Sequence, residues 1–388
     1  MGRRRARPLA GALLAMLLCS AWLCAGAHAV GYGPFGAPQP VAIEGWSGSA
    51  EEPFITPDGR YLLFNSAESS PEFSLQFASR VSAQAFEYQG EIAGEAVNVP
   101  GFLSGTPSLD DEGALYFISN RSYAETLSTV YAGQFSQGAL TGVHLVPGIS
   151  AGAPGTVDFD VGASANGSRL YVSAGQFGSG GSPSSASLQI FDRYGDGFAA
   201  DSSSARILAA VNKVASLVYA ADLSFDELEL FFTAASPSKG EAPAIYRATR
   251  ASTIQAFGHV ERIAAITGFA EAPSISADGT TLYYHEQAGG EYQIETVART
   301  VDAPRVGRLS PRKGPSAGHT TVTITGANFT GTPQVMFGSL PALSVTLNSG
   351  TSITAVSPPH ADGTVEVSVS TVGGRSAPAT GAVYTYAR

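Results

Sequence analysis

A fifteen-residue stretch that recurs along the chain constrains the fold most strongly. Residues 52–66, EPFITPDGRYLLFNS, combine a Pro57-Asp58-Gly59 turn with a short apolar strand, and proline and glycine at these positions favour a tight hairpin. Related stretches start near residues 106, 160, 220 and 272, and the turn positions lie 54, 54, 60 and 52 residues apart. A period of this length predicts repeated supersecondary units.

Each unit continues beyond its turn with further strand-like segments. A third strand is predicted in all five units, for example at 73–80 and 292–299, and a fourth in three of them. Four strands per unit are typical of a propeller blade, and blades stack in a ring because none can bury both faces of its sheet alone. The predicted fold class is therefore all-β, with a β-propeller as the larger part.

The last unit lacks a fourth strand, and the beginning of the chain supplies a candidate for it. Residues 34–43 are similar to the fourth-strand segment of the preceding unit, so we expect them to pair with 292–299 and close the ring, which covers an open sheet edge. This count predicts five blades. Six blades are the alternative, because the 60-residue spacing and the Gly/Ser-rich segment 175–187 leave room for further strands.

Residues 1–29 have the pattern of a secretory signal peptide. Four arginines precede an apolar run over 9–23, and Ala-His-Ala at 27–29 fits a cleavage site, although the run also admits a membrane anchor. We expect the mature chain to start near Val30 in the periplasm or outside the cell. It would hold 18 basic and 32 acidic residues and no cysteine. This balance argues against nucleic acid and against anionic membrane surfaces, and the core must form without disulfides. No membrane insertion is expected after the signal is cleaved.

The repeat of residues 30–303 follows the pattern Pro-x-x-Ser/Thr-Pro-Asp-Gly-x-x-Leu-x-Phe. This pattern resembles the WD-like propeller repeat of the TolB family, whose members are periplasmic proteins of the bacterial cell envelope. The resemblance is best in the first and fifth units. It implies a fold and an envelope location, and it implies no site, because the matching residues build turns and packing.

The sequence changes character beyond Pro304. Residues 304–388 alternate apolar and polar positions in short segments separated by Gly and Pro, which predicts a sandwich of two half-buried sheets. This region closely resembles the IPT/TIG domain, an immunoglobulin-like fold whose members serve as spacers or as binding and dimerisation modules. The resemblance rests on Pro311, Gly314, Pro315, Gly318, Ile324, Gly326, Asn328, Phe329, Val335, Phe337, Gly338, Ile353, Val356, Pro358, Pro359, Gly363, Val369, Gly373, Gly374 and Tyr386.

The sequence offers no common catalytic or metal-binding motif. HExxH, G-x-S-x-G, the Walker loop and the dinucleotide fingerprint do not occur, so no catalytic residue, metal or cofactor is predicted. Residues 192–197 resemble a calcium loop, but Tyr194 stands where a ligand is needed, and a plain turn is favoured. For His285, which follows an aromatic strand, a surface loop or blade-face position is favoured over a catalytic one.

Five acidic residues lie just ahead of the innermost strands, where side chains face the central channel or its mouth. Alignment of the units on their turns places Glu51, Glu52, Asp158, Asp160 and Glu271 near one another around the axis. Carboxylates gathered in this way can bind a cation or a sugar, and a pair at the right separation can hydrolyse a glycosidic bond. Solvated charges at the rim explain them equally well.

Two functions of different classes follow from these observations. In the first, the chain is an exported, non-catalytic binding or scaffold protein of the bacterial cell envelope, and the propeller mouth binds a protein or a glycan. In the alternative, it is a carbohydrate-active enzyme, a glycoside hydrolase or lyase, that uses carboxylates such as Glu52 and Asp160. The first is favoured because folding alone explains every strong motif.

Overall fold

The structure is a computed structural model that describes residues 30–69, 72–178 and 181–388, and the predicted signal peptide, residues 1–29, lies outside them. The described chain begins with three short strands: β1 (Tyr32–Phe35), β2 (Gln39–Pro40) and β3 (Ala42–Glu44). Helices are few and short: α1 (Tyr123–Thr126), α2 (Ser204–Ile207) and three 3-10 turns at Asn120–Ser122, Pro237–Lys239 and Thr380–Ala382. None of these described helices has the length and apolarity that a membrane span requires.

The propeller strands follow as antiparallel blades, each with its first strand next to the central axis. Blade one contains β4 (Ala50–Ile55), β5 (Tyr61–Ser69), β6 (Glu72–Arg80) and β7 (Ala85–Glu91). Blade two contains β8 (Ser104–Leu109), β9 (Ala114–Ser119), β10 (Val130–Ser136) and β11 (Ala139–Leu145). Blade three contains β12 (Thr156–Ala163), β13 (Arg169–Phe177), β14 (Pro183–Tyr194) and β15 (Gly197–Ala200). Blade four contains β16 (Leu217–Leu223), β17 (Glu229–Ser236), β18 (Glu241–Thr249) and β19 (Gly258–Arg262), and blade five contains β20 (Ala270–Ile275), β21 (Thr281–Ala288) and β22 (Glu291–Val301).

The N-terminal segment closes the ring, as the sequence predicts. β1 pairs antiparallel with β22, with Phe35 opposite Arg299, and β2 pairs with the same strand. β3 departs from the prediction, because it runs parallel to β7 with Ala42 opposite Ala85 and so extends blade one. The segment therefore covers the free edge of the last blade and then continues onto the first.

The described residues form five blades, and no sixth blade occurs in the described parts of the two segments that left room for one. The Gly/Ser-rich segment lengthens the hairpin of blade three, where β13 ends at Phe177 and β14 begins at Pro183. The longer spacing before blade four contains α2 and a series of turns over 201–216. Both segments therefore extend connections within the five-bladed ring.

An arginine near the end of the third strand connects neighbouring blades at four of the five seams. Its Nε donates to a carbonyl oxygen of the same blade's hairpin turn. Three of these arginines also donate to a tyrosine hydroxyl of the preceding blade, and the pairs are Arg80 with Tyr283, Arg193 with Tyr116, and Arg250 with Tyr171. The fourth, Arg299, meets Glu229 instead, because the preceding blade carries Phe231 in the place of the tyrosine.

The C-terminal part is a sandwich of two sheets. One contains β23 (Arg305–Ser310), β25 (Thr321–Ala327), β28 (Ser344–Ser349) and β29 (Ser352–Val356). The other contains β24 (Lys313–Gly314), β26 (Gln334–Phe337), β27 (Leu340–Pro341), β30 (Gly363–Thr371), β31 (Gly374–Arg375) and β32 (Val383–Tyr386). Apolar residues at alternate positions, among them Val322, Ile324, Val335 and Phe337, meet between the sheets and are buried.

The sandwich contacts the propeller at the hairpin turn of blade five. The Thr330 hydroxyl donates to the Asp278 carbonyl oxygen at 2.6 Å, and the Tyr32 hydroxyl donates to the same oxygen at 3.0 Å. Asn328 accepts a hydrogen bond from the Gly31 N–H at 2.9 Å. Because the hairpin turns lie at the opposite end of the inner strands from residues such as Glu51, the sandwich leaves the other end of the channel uncovered.

Candidate functional site

The innermost strands bulge where they line the channel. In four blades the bulge begins at a residue with φ between 50° and 53°, a conformation that residues other than glycine rarely adopt. A side chain on the second strand of the preceding blade accepts a hydrogen bond from the N–H of that residue at 3.0–3.1 Å. The donor and acceptor pairs are Glu52 with His285, Thr106 with Asn65, Ala220 with Ser173, and Ala272 with Thr233.

The channel enclosed by these bulges is narrow and acidic. Its cavity volume is about 30 Å³, which is room for about one or two water molecules. Glu52, Asp160 and Asp222 line it, and no lysine or arginine does so among the described residues. Burial raises the pKa of Asp222 to about 7 and that of Asp160 also to about 7, with a further contribution from the charge of Asp222. The channel therefore favours protonated carboxyl groups.

Four of the five predicted acidic residues come together at the mouth, the end of the channel where the inner strands begin. The pKa of Glu52 is raised well above its ordinary value, first by burial and then by the negative charges of Asp160, Glu271 and Glu51. Burial also raises the pKa of Glu51. Charges act on one another in this way only at short range, so the structure brings these four side chains near one another.

The fifth predicted residue, Asp158, behaves differently. Its side chain is buried, burial raises its pKa to about 6, and it is not among the charges that raise the pKa of Glu52. Its Oδ2 atom has no hydrogen-bond partner among the described residues. Asp158 lies on β12 of blade three, and the bulge of this strand falls at a different position from the bulges of the other inner strands. The structure therefore does not group it with Glu52.

His285 lies at the mouth on β21 and faces blade one, so the structure agrees with the predicted blade-face position and not with the alternative of a surface loop. Its side chain is 1% exposed. Its Nδ1 accepts a hydrogen bond from the Glu52 N–H at 3.0 Å, so the proton of the neutral ring lies on Nε2, which donates to Glu271 Oε2 at 3.2 Å. The Tyr219 hydroxyl donates to the other oxygen of Glu271. Both nitrogens of His285 and both oxygens of Glu271 are thus engaged in holding blades four, five and one together.

Aromatic rings surround this network. The Tyr292 ring stands edge-on to the His285 ring with centroids 5.2 Å apart, and the Phe269 ring lies 6.0 Å from that of Tyr292. On the other side of the mouth, the Phe159 ring lies 5.8 Å from that of Tyr219. All four of these aromatic side chains are partly exposed. The mouth thus combines carboxyl groups with accessible aromatic surface.

Sequence reasoning considered His285 but did not include it in the site, and it missed Tyr219, Tyr292 and Asp222. For Asp222 the sequence offered a signal, because the repeats align it with Ser274. In the structure both side chains accept a hydrogen bond from the inner strand of the next blade. Asp222 Oδ2 accepts from the Ile275 N–H at 2.7 Å, and Ser274 Oγ accepts from the Ile55 N–H at 3.2 Å. For the aromatic residues no sequence signal distinguished them from core positions.

The structure supports no metal site in the part of the chain that it describes. No three His, Cys, Asp or Glu side chains there are arranged to hold an ion. The segment that resembled a calcium loop is a tight hairpin turn with Tyr194 opposite Gly197, and Asp192 pairs with Arg169 at 2.7 Å. The segment therefore has the geometry of a plain turn.

The His285 network gives a first testable prediction. We expect His285→Leu to destabilise the propeller by about 1–3 kcal/mol, because the Glu52 N–H and a Glu271 oxygen lose their partners. His285→Asn is the matched control, since Asn65 performs the same task in blade one by accepting from the Thr106 N–H at 3.0 Å. Thermal unfolding of both variants measures the difference, and equal losses for Leu and Asn would contradict the assigned role.

The fold and site together define a class of protein: a five-bladed β-propeller with an acidic, aromatic mouth, joined to an immunoglobulin-like sandwich. Residues 304–386 match the family model described as IPT/TIG domain, so this region is an IPT/TIG domain. The comparison with curated proteins finds no match for the chain.

Solved structures show similarity to the chain at low identity. A structure titled "Glycoside hydrolase" has a TM-score of 0.48 and 11% identity, with 69% of this chain and 92% of that chain covered. TolB from Acinetobacter baumannii has a TM-score of 0.36 and 14% identity, with coverage of 80% and 66%. Zg3597, a family 117 glycoside hydrolase of the marine bacterium Zobellia galactanivorans, has a TM-score of 0.44 and 10% identity, with coverage of 68% and 90%. Similarity at this level says nothing about function.

Proposed function

We propose that this chain is an exported, non-catalytic binding protein of the bacterial cell envelope, and that the propeller mouth binds an uncharged glycan. The observation that carries the proposal is the combination of partly exposed rings, Tyr292, Phe269 and Tyr219, with carboxyl groups at one end of the channel. A sugar has a C–H face that packs against an aromatic ring and hydroxyl groups that bond to carboxyl groups.

The charge of the mouth supports an uncharged ligand. Glu51, Glu52, Asp160 and Glu271 lie close together, and the described channel lining contains no basic residue to balance them. An anionic ligand would meet no positive charge in this lining and would be repelled by any carboxyl group that is ionised. A neutral sugar avoids this repulsion and can still donate hydrogen bonds to them.

Two features argue against catalysis by these carboxyl groups. A glycoside hydrolase needs two carboxyl groups on either side of the scissile bond. Glu52 and Asp160 line a cavity of about 30 Å³, whereas ligand pockets have volumes on the order of 300–1,000 Å³. Glu271 and His285 have all their polar atoms engaged with each other, with Tyr219 and with the backbone. A sugar can bind at the surface of the mouth more readily than inside the channel.

The proposed location rests on other parts of the chain. The arginine-rich, apolar pattern of residues 1–29 supports export to the periplasm or beyond, and the resemblance of the repeats to the TolB family supports the cell envelope. The IPT/TIG domain contacts the propeller at the Asp278 turn, away from the mouth. It is suited to act as a spacer that presents the mouth to a ligand.

A glycan array tests the proposal. The full chain, expressed with residues 1–29 so that export can occur, is purified and screened on neutral and acidic glycans, and hits are titrated by calorimetry. We expect saturable binding to neutral glycans. Tyr292→Ala should weaken it by about tenfold or more, since it removes a ring that a sugar would cover. Tyr194→Ala is the matched control, because Tyr194 is 78% exposed but lies on the hairpin between β14 and β15, away from the mouth.

Three outcomes would overturn the proposal. The absence of binding by folded protein to any neutral glycan would remove the assigned ligand. Binding to an envelope protein without binding to glycans would assign the mouth to a different class of partner. Hydrolysis of a glycan that disappears in Glu52→Gln or Asp160→Asn would show that the carboxyl groups are catalytic after all.

A further inference from the structure

A second cavity lies between blades two and three, at the hairpin-turn end of the propeller. Its volume is about 320 Å³, which is within the range of ligand pockets, on the order of 300–1,000 Å³. We call it the seam cavity and define it by Tyr116, Gly133, Gly142, His144, Arg193 and Phe198, with Asp196 also in its lining.

Arg193 is held in a fixed orientation on one side of the seam cavity. Its Nε donates to the Gly167 carbonyl oxygen at 2.8 Å and its Nη2 donates to the Tyr116 hydroxyl at 2.7 Å. Its guanidinium carbon lies 4.8 Å from the centroid of the Phe198 ring. Nη1 makes no hydrogen bond to any described residue. A guanidinium fixed in this way loses little side-chain freedom when it binds an anion.

His144 adds a second nitrogen donor or acceptor to the same cavity. Its Nδ1 lies 2.8 Å from the Gly142 carbonyl oxygen, which can only accept, so Nδ1 carries a proton. Nε2 makes no hydrogen bond in the described chain, and it accepts from a hydroxyl when the ring is neutral. Asp196, on the turn of blade three, is exposed and forms no ion pair with Arg193 in the described chain. Asp110, in the hairpin turn of blade two, also interacts electrostatically with Arg193. The cavity thus combines one fixed guanidinium, partly balanced by Asp110, with separate groups that can bind hydroxyls.

From this arrangement we propose that the seam cavity binds a small hydroxylated acid of the hexuronic acid type. The ligand carboxylate receives a charge-assisted hydrogen bond from Arg193, and its hydroxyls meet His144 and Asp196. The Tyr116 and Phe198 rings, 6.0 Å apart, are buried and support Arg193, Tyr116 through its hydroxyl and Phe198 through its ring face, so the ligand is held by its polar groups. This site differs from the mouth in place and in charge, and it does not depend on glycan binding there.

Titration of the full chain with D-glucuronate and D-galacturonate, followed by calorimetry and ligand-observed NMR, tests the inference. We expect saturable binding of at least one uronate and weaker binding of D-glucose, which has the ring but lacks the carboxylate. Arg193→Gln should weaken uronate binding by about tenfold or more, because a charge-assisted hydrogen bond is lost. His144→Ala should weaken it too, without touching a contact between blades.

A matched variant separates binding from folding, because Arg193 also connects two blades. Arg80 makes the same contacts at another seam: Nη2 donates to the Tyr283 hydroxyl at 2.7 Å, and the guanidinium lies 4.6 Å from the Phe86 ring. Its Nη1 is occupied by the carbonyl oxygens of Ser82 and Ala83. Arg80→Gln should lower thermal stability much as Arg193→Gln does and leave uronate affinity unchanged. Equal affinity for glucose and uronate, no saturable uronate binding, or an equal loss in Arg80→Gln would overturn the inference.

Discussion

Replacing Glu229 with alanine is expected to lower the free energy of unfolding of the propeller by about 3–5 kcal/mol, because it leaves buried positive charge without a partner. Glu229 is 2% exposed and receives two guanidinium groups. Arg299 Nη1 donates to its Oε1 at 3.1 Å, and Arg247 forms an ion pair with the same oxygen. Burial alone would raise the pKa of Glu229, but the hydrogen bonds and charges of Arg299 and Arg247 outweigh burial and lower it.

The position of Glu229 explains why one carboxylate matters so much. It lies on β17 of blade four, whereas Arg299 lies on β22 of blade five and packs 3.7 Å from the centroid of the Tyr32 ring on the closing strand. Arg299 also donates to the Gly279 carbonyl oxygen at 2.7 Å. Loss of Glu229 therefore loosens two blades and the strand that completes the ring.

Urea unfolding followed by Trp46 fluorescence measures the effect, because Trp46 is the only tryptophan beyond residue 29 and packs 5.2 Å from the Phe64 ring in blade one. Glu261→Gln is the matched control. It removes the other carboxylate that Arg247 binds, at 3.0 Å, but that side chain is 63% exposed. Exposed ion pairs contribute only about 0–1 kcal/mol. If Glu229→Ala costs no more than Glu261→Gln, the buried cluster does not hold the ring.

The sequence predicts the architecture well because the same pattern of turn and strand occurs five times. The Pro-Asp-Gly turn and the aromatic strand after it mark where each blade begins. The segment near Phe35 lies outside these repeats, and it can only complete the blade that lacks a strand. The exact path of that segment was not predictable. Ala42 pairs with Ala85 in blade one. A strand this short, paired in parallel at the outer edge of a sheet, shows no alternation of apolar and polar residues from which the pairing could be predicted.

The sequence predicts the candidate site less well because bulges cannot be read from alternation. In blade one, Glu51 stands opposite Asn65 and the bulge follows it, whereas in blade three Asp160 stands opposite Ser173 and the bulge precedes it. Counting from the turn therefore aligns Asp160 with Glu52, whereas Asp158 lies on the other side of the bulge. The role of His285 depends on a hydrogen bond to the neighbouring blade. The sequence of one strand does not show which residues of that blade it will contact.

The propeller is expected to lose stability as the pH rises from about 4 to about 7, because folding holds several carboxyl groups in the protonated form. Burial raises the pKa of Asp222 from 3.8 to about 7 and that of Glu295 from 4.5 to about 7. Below pH 4 both the folded and the unfolded states keep these protons, and the contribution of these carboxyl groups to stability is fully present. As the pH rises through 7, the folded state must give up a proton that the unfolded state lost near its ordinary pKa, and the contribution disappears. Glu229, with its lowered pKa, acts in the opposite sense and loses its contribution as the pH falls below its ordinary value of 4.5.

Asp222→Asn isolates one of these groups. The difference between 3.8 and about 7 corresponds to at most about 4 kcal/mol. An asparagine oxygen can still accept from the Ile275 N–H, which Asp222 bonds at 2.7 Å, but it cannot ionise. The free energy of unfolding, measured by urea titration from pH 4 to pH 8, should therefore fall less in the variant than in the wild type, and the variant should be the more stable of the two at pH 8. Parallel curves over this range would show that Asp222 keeps its ordinary pKa in the folded channel and would contradict the prediction.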